Sequence, residues 1–330
     1  MALALITGAT GFVGRHLVAS LRQEGVKTRL LIRNRTRIPL SWFNDRGIEI
    51  LESNLADLTG VKRACEGADV IFHLAGKSDA EVDRKNTGDH REHTGFSRIL
   101  SEAASVKGVQ SFIYFSSVKV MGEASGQCLN ENISPQSQTP YAVSRWESEK
   151  LILANTRLPH VSVLRLTPVY GPGCGGNLMR MLRLIKLGIF PPLPDVGNKR
   201  SFVAVHDVVQ AAHLVMKNPA SNRQTYIVSG DEAPSTRDLY IYLCDALGKK
   251  VPSWTVPFGV FQKIARLGEG TNIIFRRRLF PMDEISLSRL FGSAWYSCDK
   301  IKRELGYQPK FRLQGCLPEI ISHGSGRSYD

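Results

Sequence analysis

No stretch of this 330-residue chain approaches the ~20 consecutive apolar residues that a membrane-spanning helix requires. No basic segment precedes the opening residues MALALIT, so a secretory signal is not expected. Cysteine is sparse and scattered: Cys65, Cys128, Cys174, Cys244, Cys298 and Cys316 stand singly, with no C-x-x-C among them. That spacing suits neither a disulfide framework nor a zinc site, and reduced thiols in the cytoplasm are the expectation, with no metal. There is no internal repeat and no low-complexity segment. Zinc-finger, helix-turn-helix and RRM signatures are missing too, which argues against a specific nucleic-acid partner.

Acid is in short supply. Thirty Asp and Glu face 43 Lys and Arg, leaving a net charge of +13 with local clusters at Arg33 to Arg37 and at Arg276-Arg277-Arg278. An excess of this size suits phosphorylated small ligands or an anionic membrane surface as well as nucleic acid.

What the chain does contain is alternation. Apolar runs at Leu3–Thr7, Thr28–Ile32, Ile48–Glu52, Val70–Leu74, Ser111–Ser116 and Ser162–Leu166 are separated by helix-like segments. These segments include Arg15–Glu24, Thr59–Glu66, Thr94–Val106 and Tyr141–Asn155, the last entered through Pro140. Strands that alternate with helices predict βαβ units and a parallel sheet. From Tyr170 the pattern breaks into Gly-Pro-Gly-Cys-Gly-Gly and then into short mixed elements. The fold expected is α/β, a doubly wound parallel sheet over 1–168 with a smaller C-terminal lobe over 169–330 and chain returns to the first domain. The Gly- and Ser-containing tail from His323 to Asp330 is expected to be mobile.

The first strand runs straight into Gly8-Ala9-Thr10-Gly11-Phe12-Val13-Gly14 and then into helix. Glycines between a first strand and a first helix let backbone N–H groups approach a pyrophosphate at the helix N-terminus. The G-x-x-G-x-x-G spacing within T-G-A-T-G-F-V-G resembles the extended branch of the short-chain dehydrogenase/reductase superfamily, whose nucleotide-binding domain is of the Rossmann type. About twenty residues on, the second strand ends at Arg33, with Arg35 and Arg37 following and no acid at that position. An acid there would receive the ribose hydroxyls of NAD, whereas arginine suits a 2′-phosphate, so NADP is favoured over NAD.

Further segments extend the resemblance over nearly the whole chain, to the sugar-nucleotide epimerases and dehydratases of that branch. Asn54-Leu55 falls where the family meets the adenine, and His73-Leu74-Ala75-Gly76 resembles its cofactor-lining turn, with His73 structural. Phe115 to Gly122 resembles the S-S-x-x-V-Y-G strand end, which implies Ser117 as the serine that holds the substrate oxygen and Ser116 as the fallback. Tyr141-Ala142-Val143-Ser144-Arg145 falls where the family has Tyr-x-x-x-Lys. A proton must move on the carbinol oxygen during such chemistry, and a tyrosine acid/base serves it. Residues i and i+4 share a helix face, so a cation at 145 stands beside Tyr141 and favours its phenolate. Arg145 keeps the charge of the family's lysine but has a different shape and reach. His93 is a second departure, where the family commonly has asparagine. The two departures leave room for a cofactor-binding relative with weak or no turnover.

The second half resembles nucleotide-sugar binders. Arg165 to Gly173 resembles the R-x-x-x-V-Y-G-P-G loop, which implies cofactor contacts at Pro168 and Val169. Lys119, Asn177, Arg200 and Arg289 fall at substrate-binding positions, the two arginines as a clamp on a diphosphate. Val118 and Lys119 replace the acid pair of the 4,6-dehydratases, so dehydration is disfavoured. The resemblance implies a 4-epimerase or 4-keto reductase acting on a UDP-hexose or UDP-N-acetylhexosamine in surface-polysaccharide synthesis, and leaves a homodimer open.

Overall fold

A computed structural model of the chain describes residues 2–76, 90–122, 126–136, 139–275 and 283–324. The Arg276-Arg277-Arg278 cluster and the tail beyond 324 lie outside the described residues; His323 itself lies in the last turn of the last helix.

Among the described residues nine strands follow in chain order: β1 (Leu3–Thr7), β2 (Lys27–Ile32), β3 (Ile48–Glu52), β4 (Val70–His73), β5 (Ser111–Ser117), β6 (His160–Leu166), β7 (Val169–Tyr170), β8 (Val203–Ala204) and β9 (Gln224–Val228). Seven form one sheet in the order β3-β2-β1-β4-β5-β6-β9, every pair parallel. β7 and β8 pair separately. The order reverses at β1, whose neighbours are β2 and β4, and a crevice opens outside the carboxyl ends of such strands. The sequence pattern located six of the seven sheet strands and missed β9. The strand before residue 74 stops at His73, so Leu74 belongs to the following turn.

The helices are α1 (Phe12–Gln23), α2 (Leu40–Phe43), α3 (Leu58–Cys65), α4 (His90–Val106), α5 (Pro140–Leu153), α6 (Gly176–Lys186), α7 (Val205–Lys217), α8 (Thr236–Ala246), α9 (Phe258–Phe275), α10 (Glu284–Phe291), α11 (Asp299–Leu305) and α12 (Leu313–Gly324). α1 begins three residues before the apolar pattern suggested, because Gly11 serves as its N-cap in extended backbone.

Side chains alternate across a strand, so each strand feeds both faces of the sheet. Ala4 and Ile6 pack with Leu17, Val18 and Leu21 of α1 and with Val208 and Ala212 of α7. Leu5 packs on the other face, with Val61 of α3, Leu100 of α4 and Ile152 of α5. A separate core joins Met181 and Ile185 of α6, Leu239 and Leu243 of α8, Phe261 of α9, Phe291 of α10 and Leu317 of α12. The chain returns to the sheet in α7 and β9 between these lobe elements.

Arg223 enters β9 with a positive φ of 58°, a backbone state that a residue with a side chain seldom adopts. Its guanidinium donates to the carbonyls of Leu153, Asn155 and Leu158 at 2.6, 3.2 and 3.1 Å. The first bond answers a carbonyl at the C-terminal end of α5, which the helix itself leaves open, and the other two hold the segment that follows.

Candidate active site

The glycine turn is shaped by contacts that no side chain could share. Gly8 has φ of +75°, and a Cβ built there would stand 2.7 Å from the backbone N of Ala75. A Cβ on Gly14 would run into the carbonyl of Gly8 and into Ala9, so α1 packs directly on the turn. Gly11 faces outward instead, exposed at the N-cap, and Phe12 and Val13 behind it are half-buried. Thr10 is half-buried too, and its carbonyl accepts from Arg15 Nε at 3.2 Å. A small-residue cradle in front of the first turn of a helix fits the diphosphate of a dinucleotide. Gly8, Thr10, Gly11, Phe12, Val13 and Gly14 are therefore brought to one place.

The basic segment after β2 lies beside this cradle. Arg15 reaches from α1 to the carbonyl of Arg37 at 3.0 Å, a tie that sequence reasoning missed. Arg35 pairs with Glu52 at 3.3 Å, while Arg33 is exposed and has no ion pair with a described residue. The Asn54 side chain turns back to accept from Ala56 N at 3.2 Å, and Leu55 is buried in the core below. Ala75 N donates to Thr7 Oγ1 at 3.3 Å, which holds Leu74, Ala75 and Gly76 against the end of β1.

The end of β5 separates the two serines. Ser116 points inward, buried, and donates to Glu149 of α5. Ser117 points to the other face, half-buried, with its Oγ accepting from Lys119 N at 3.2 Å. Strand alternation thus removes Ser116 from the crevice and leaves Ser117 at its edge. Lys119 follows, half-buried, in a 3₁₀ turn.

α5 presents Tyr141 in its first turn, after Pro140 and a Thr139 cap that accepts from Ala142 N at 3.3 Å. The Arg145 guanidinium lies over the Tyr141 ring, 5.2 Å from its centre. Arg145 is only 6% exposed; its Nη1 donates to the Phe115 carbonyl at 3.2 Å and to the Tyr114 hydroxyl at 3.4 Å. Burial works against its charge, but the facing Tyr141 and Tyr114 oxygens outweigh that and raise its pKa, so it stays cationic. A Cβ on Gly76 would come within 2.6 Å of Arg145 Nη2 and would also meet His93. Glycine at 76 therefore leaves the space that Arg145 and His93 occupy.

Two histidines stand near Arg145 as neutral groups. His73 is fully buried, hydrogen-bonded to Thr7 Oγ1 at 2.7 Å and to Ser97 Oγ at 3.0 Å. Burial, and then the Arg145 charge, lower its pKa to about 3, so it is a structural group rather than a base. His93 packs against His73 and Tyr114, and burial with the Arg145 charge holds its pKa well below the usual value. The Tyr114 hydroxyl is pushed up by burial and stays protonated. Tyr114 was not read as a site residue, because a tyrosine inside an apolar strand looks like core.

Arg165 also proves to be buried. It is 4% exposed and forks onto Glu149, Nη2 to Oε2 at 2.7 Å and Nε to Oε1 and Oε2 at 3.2 and 3.1 Å. Glu149 escaped notice because the pair joins a helix to a strand. Beyond β6, exposed Pro168 accepts from Val203 N at 3.0 Å, and half-buried Val169 pairs with Val203. Asn177 is exposed in the first turn of α6. Arg200 donates to the carbonyl of Gly292 at 2.8 Å, the residue that caps α10, and Arg289 lies in the last turn of that helix. The structure thus brings the segments of Arg200 and Arg289 together.

A family model described as "NAD dependent epimerase/dehydratase family" matches residues 4–229. The chain belongs to the NAD dependent epimerase/dehydratase family. It is an extended short-chain dehydrogenase/reductase and an NAD-dependent enzyme in type. A UDP-glucose 4-epimerase from Vibrio cholerae is 28% identical over 94% of this chain and 92% of its own length. A 3 beta-hydroxysteroid dehydrogenase/Delta 5-->4-isomerase from Mycobacterium tuberculosis is 24% identical over 97% and 89%. Among solved structures, UDP-glucose 4-epimerase from Thermus thermophilus in complex with NAD superposes with a TM-score of 0.74. It is 22% identical, and 99% of this chain and 100% of that one are covered. No helix among the described residues is long and apolar enough to cross a membrane.

Proposed function

We propose that this family member is a sugar-nucleotide 4-epimerase or 4-keto reductase acting at C4 of a UDP-hexose or UDP-N-acetylhexosamine. The observation that carries the reading is the stacking of Arg145 over Tyr141, on the helix that faces the Ser117 end of β5. When bound in the glycine cradle, a nicotinamide dinucleotide supplies the hydride acceptor and donor. Tyr141 takes the proton from the carbinol oxygen or returns it, and Ser117 holds the same oxygen. Arg145 keeps a positive charge against the phenolate that forms. Arg200 and Arg289 grip the diphosphate, with Asn177 and Lys119 toward the sugar. Val118 is buried and Lys119 is a cation, so no carboxylate pair stands at the strand end to drive dehydration.

NADP is the favoured cofactor, because exposed Arg33 follows β2 and no acid stands at its position. Calorimetry is expected to show tighter binding of NADPH than of NADH, with Arg33→Asp reversing the order. Equal or tighter NADH binding by the wild type would remove this preference. The cytoplasm and a homodimer are the setting proposed for the enzyme.

The decisive experiment incubates the protein with cofactor and UDP-hexoses or their 4-keto forms and follows C4 products by NMR. Tyr141→Phe is expected to lower turnover by about 10²- to 10⁴-fold while still binding cofactor. Undiminished activity in that variant would defeat the assignment. A second reading, a cofactor-binding relative without turnover, is favoured by the bonds that draw Arg145 inward to Phe115 and Tyr114. An inert wild type that gains activity as Arg145→Lys would establish it.

A further inference from the structure

The second lobe carries an apolar surface that its own core does not use. In α9, Phe261 and Ala265 face inward, while Val260, Ile264 and Leu267 recur at i, i+4 and i+7 and stay exposed, Leu267 by 72%. Lys263 and Arg266 lie on the solvent side of that stripe, both exposed. Trp254 precedes the helix at 61% exposure, and Leu187 and Ile189 follow α6 at 65% and 66%. A hydrogen bond from Val256 N to the Pro192 carbonyl, 3.0 Å, ties these two stretches together. Residues 176–189 and 249–267 contain seven Lys and Arg and no Asp or Glu. No described residue answers Lys186, Lys263 or Arg266 with an ion pair.

We infer that this face is a docking surface for an anionic phospholipid bilayer. An apolar stripe bordered by cations among the described residues is the composition that lies in a lipid interface, the stripe among acyl chains and the cations at phosphate headgroups. The charge complementarity decides the occupant. A second copy would set cation against cation, and a nucleic acid would leave the aliphatic stripe in water. The surface also connects to the site: Phe258 and Phe261 of α9 pack on Phe291 of α10, each ring pair 5.1 Å apart, and α10 carries Arg289. The enzyme is thus peripheral, held to the membrane by the back of its substrate lobe.

The test is co-sedimentation of the full chain with vesicles of equal parts phosphatidylcholine and phosphatidylglycerol, against vesicles of phosphatidylcholine alone. The protein is expected to pellet with the anionic vesicles, to stay in solution with the neutral ones, and to be released by salt. Ile264→Asp with Leu267→Asp, and separately Lys263→Glu with Arg266→Glu, should each weaken partitioning on the order of tenfold. Leu187→Asp with Ile189→Asp gives a readout outside the helix should the first pair lower the melting temperature. A wild type that stays in solution with both vesicles overturns the inference. So does anionic binding that survives both apolar pairs, which would be adhesion by charge alone. Light scattering that finds an oligomer dissolved by Ile264→Asp with Leu267→Asp, without vesicle binding, assigns the face to self-association instead.

Discussion

Two arginines are buried near the carboxyl ends of β5 and β6, and they are treated differently. Arg165 on β6 meets Glu149 through a two-pronged ion pair and rests over the Trp146 ring, 5.6 Å from its centre. Arg145, one turn before Glu149 on α5, meets two phenols and a main-chain carbonyl among the described residues. The first arrangement neutralises a charge where it stands. In the second, the groups that face the cation include a tyrosine that can itself become negative. The phenol of Tyr141 receives the field of Arg145 at an oxygen where charge can develop. One region holds α5 to the sheet, and the other is the one proposed for proton transfer.

Breaking the pair should have the larger consequence for folding. Glu149→Ala strands the Arg165 charge and the Ser116 hydroxyl, and a loss of about 3–5 kcal/mol is expected in urea unfolding. A loss below about 1 kcal/mol would mean that the pair does not fasten the helix. Arg145 should show the opposite bias. Arg145→Ala is expected to lower turnover and move the activity optimum to higher pH, and Arg145→Lys to preserve or raise activity. An unmoved pH profile in Arg145→Ala would reduce it to a packing residue.

A smaller effect sharpens the comparison further. Burial and the Arg145 charge depress His73 in the folded state to about 3, against 6.5 in the unfolded chain. Below 6.5 the unfolded chain binds a proton that the folded one refuses, so stability falls as pH drops from 6.5 toward about 3. The slope approaches about 1.4 kcal/mol per pH unit for this one group. His16, His93, His160 and His213 are shifted in the same direction, chiefly by burial, and steepen the decline. Urea midpoints measured across that window check it, and Arg145→Gln should flatten the curve slightly by removing one like charge. A midpoint that stays level to pH 4 would contradict the buried neutral state of His73.

Sheet strands covered by helices are near-continuous apolar runs, which is why β1, β2, β4, β5 and β6 stand out along the chain, whereas edge strand β3 shows as Ile48, Ile50 and Leu51 among glutamates. β9 does not, because Gln224 and Thr225 are polar and half-buried and only Tyr226, Ile227 and Val228 are buried. The cradle glycines are legible because their reason is local: a turn, a close approach and a helix start within seven residues. The Glu149–Arg165 pair and the bond from Arg200 to Gly292 are not, since each depends on tertiary packing that spacing does not encode. The serine pair lies between these cases. Its position is visible, and simple alternation along β5 decides which hydroxyl faces the crevice.

The Arg223 latch has a consequence for the order in which the molecule is made. Residues 1 to 168 contain the glycine cradle, both serines, Tyr141 and Arg145, yet the carbonyls at the far end of α5 wait for an arginine 70 positions beyond Leu153. During synthesis the open edge of β6 likewise stays unpaired until β9 emerges. A nascent chain that has released these candidate site residues therefore still lacks the Arg223 bonds at the end of α5. Pairing of β9 with β6 joins residues about sixty positions apart, so these bonds depend on a long-range closure.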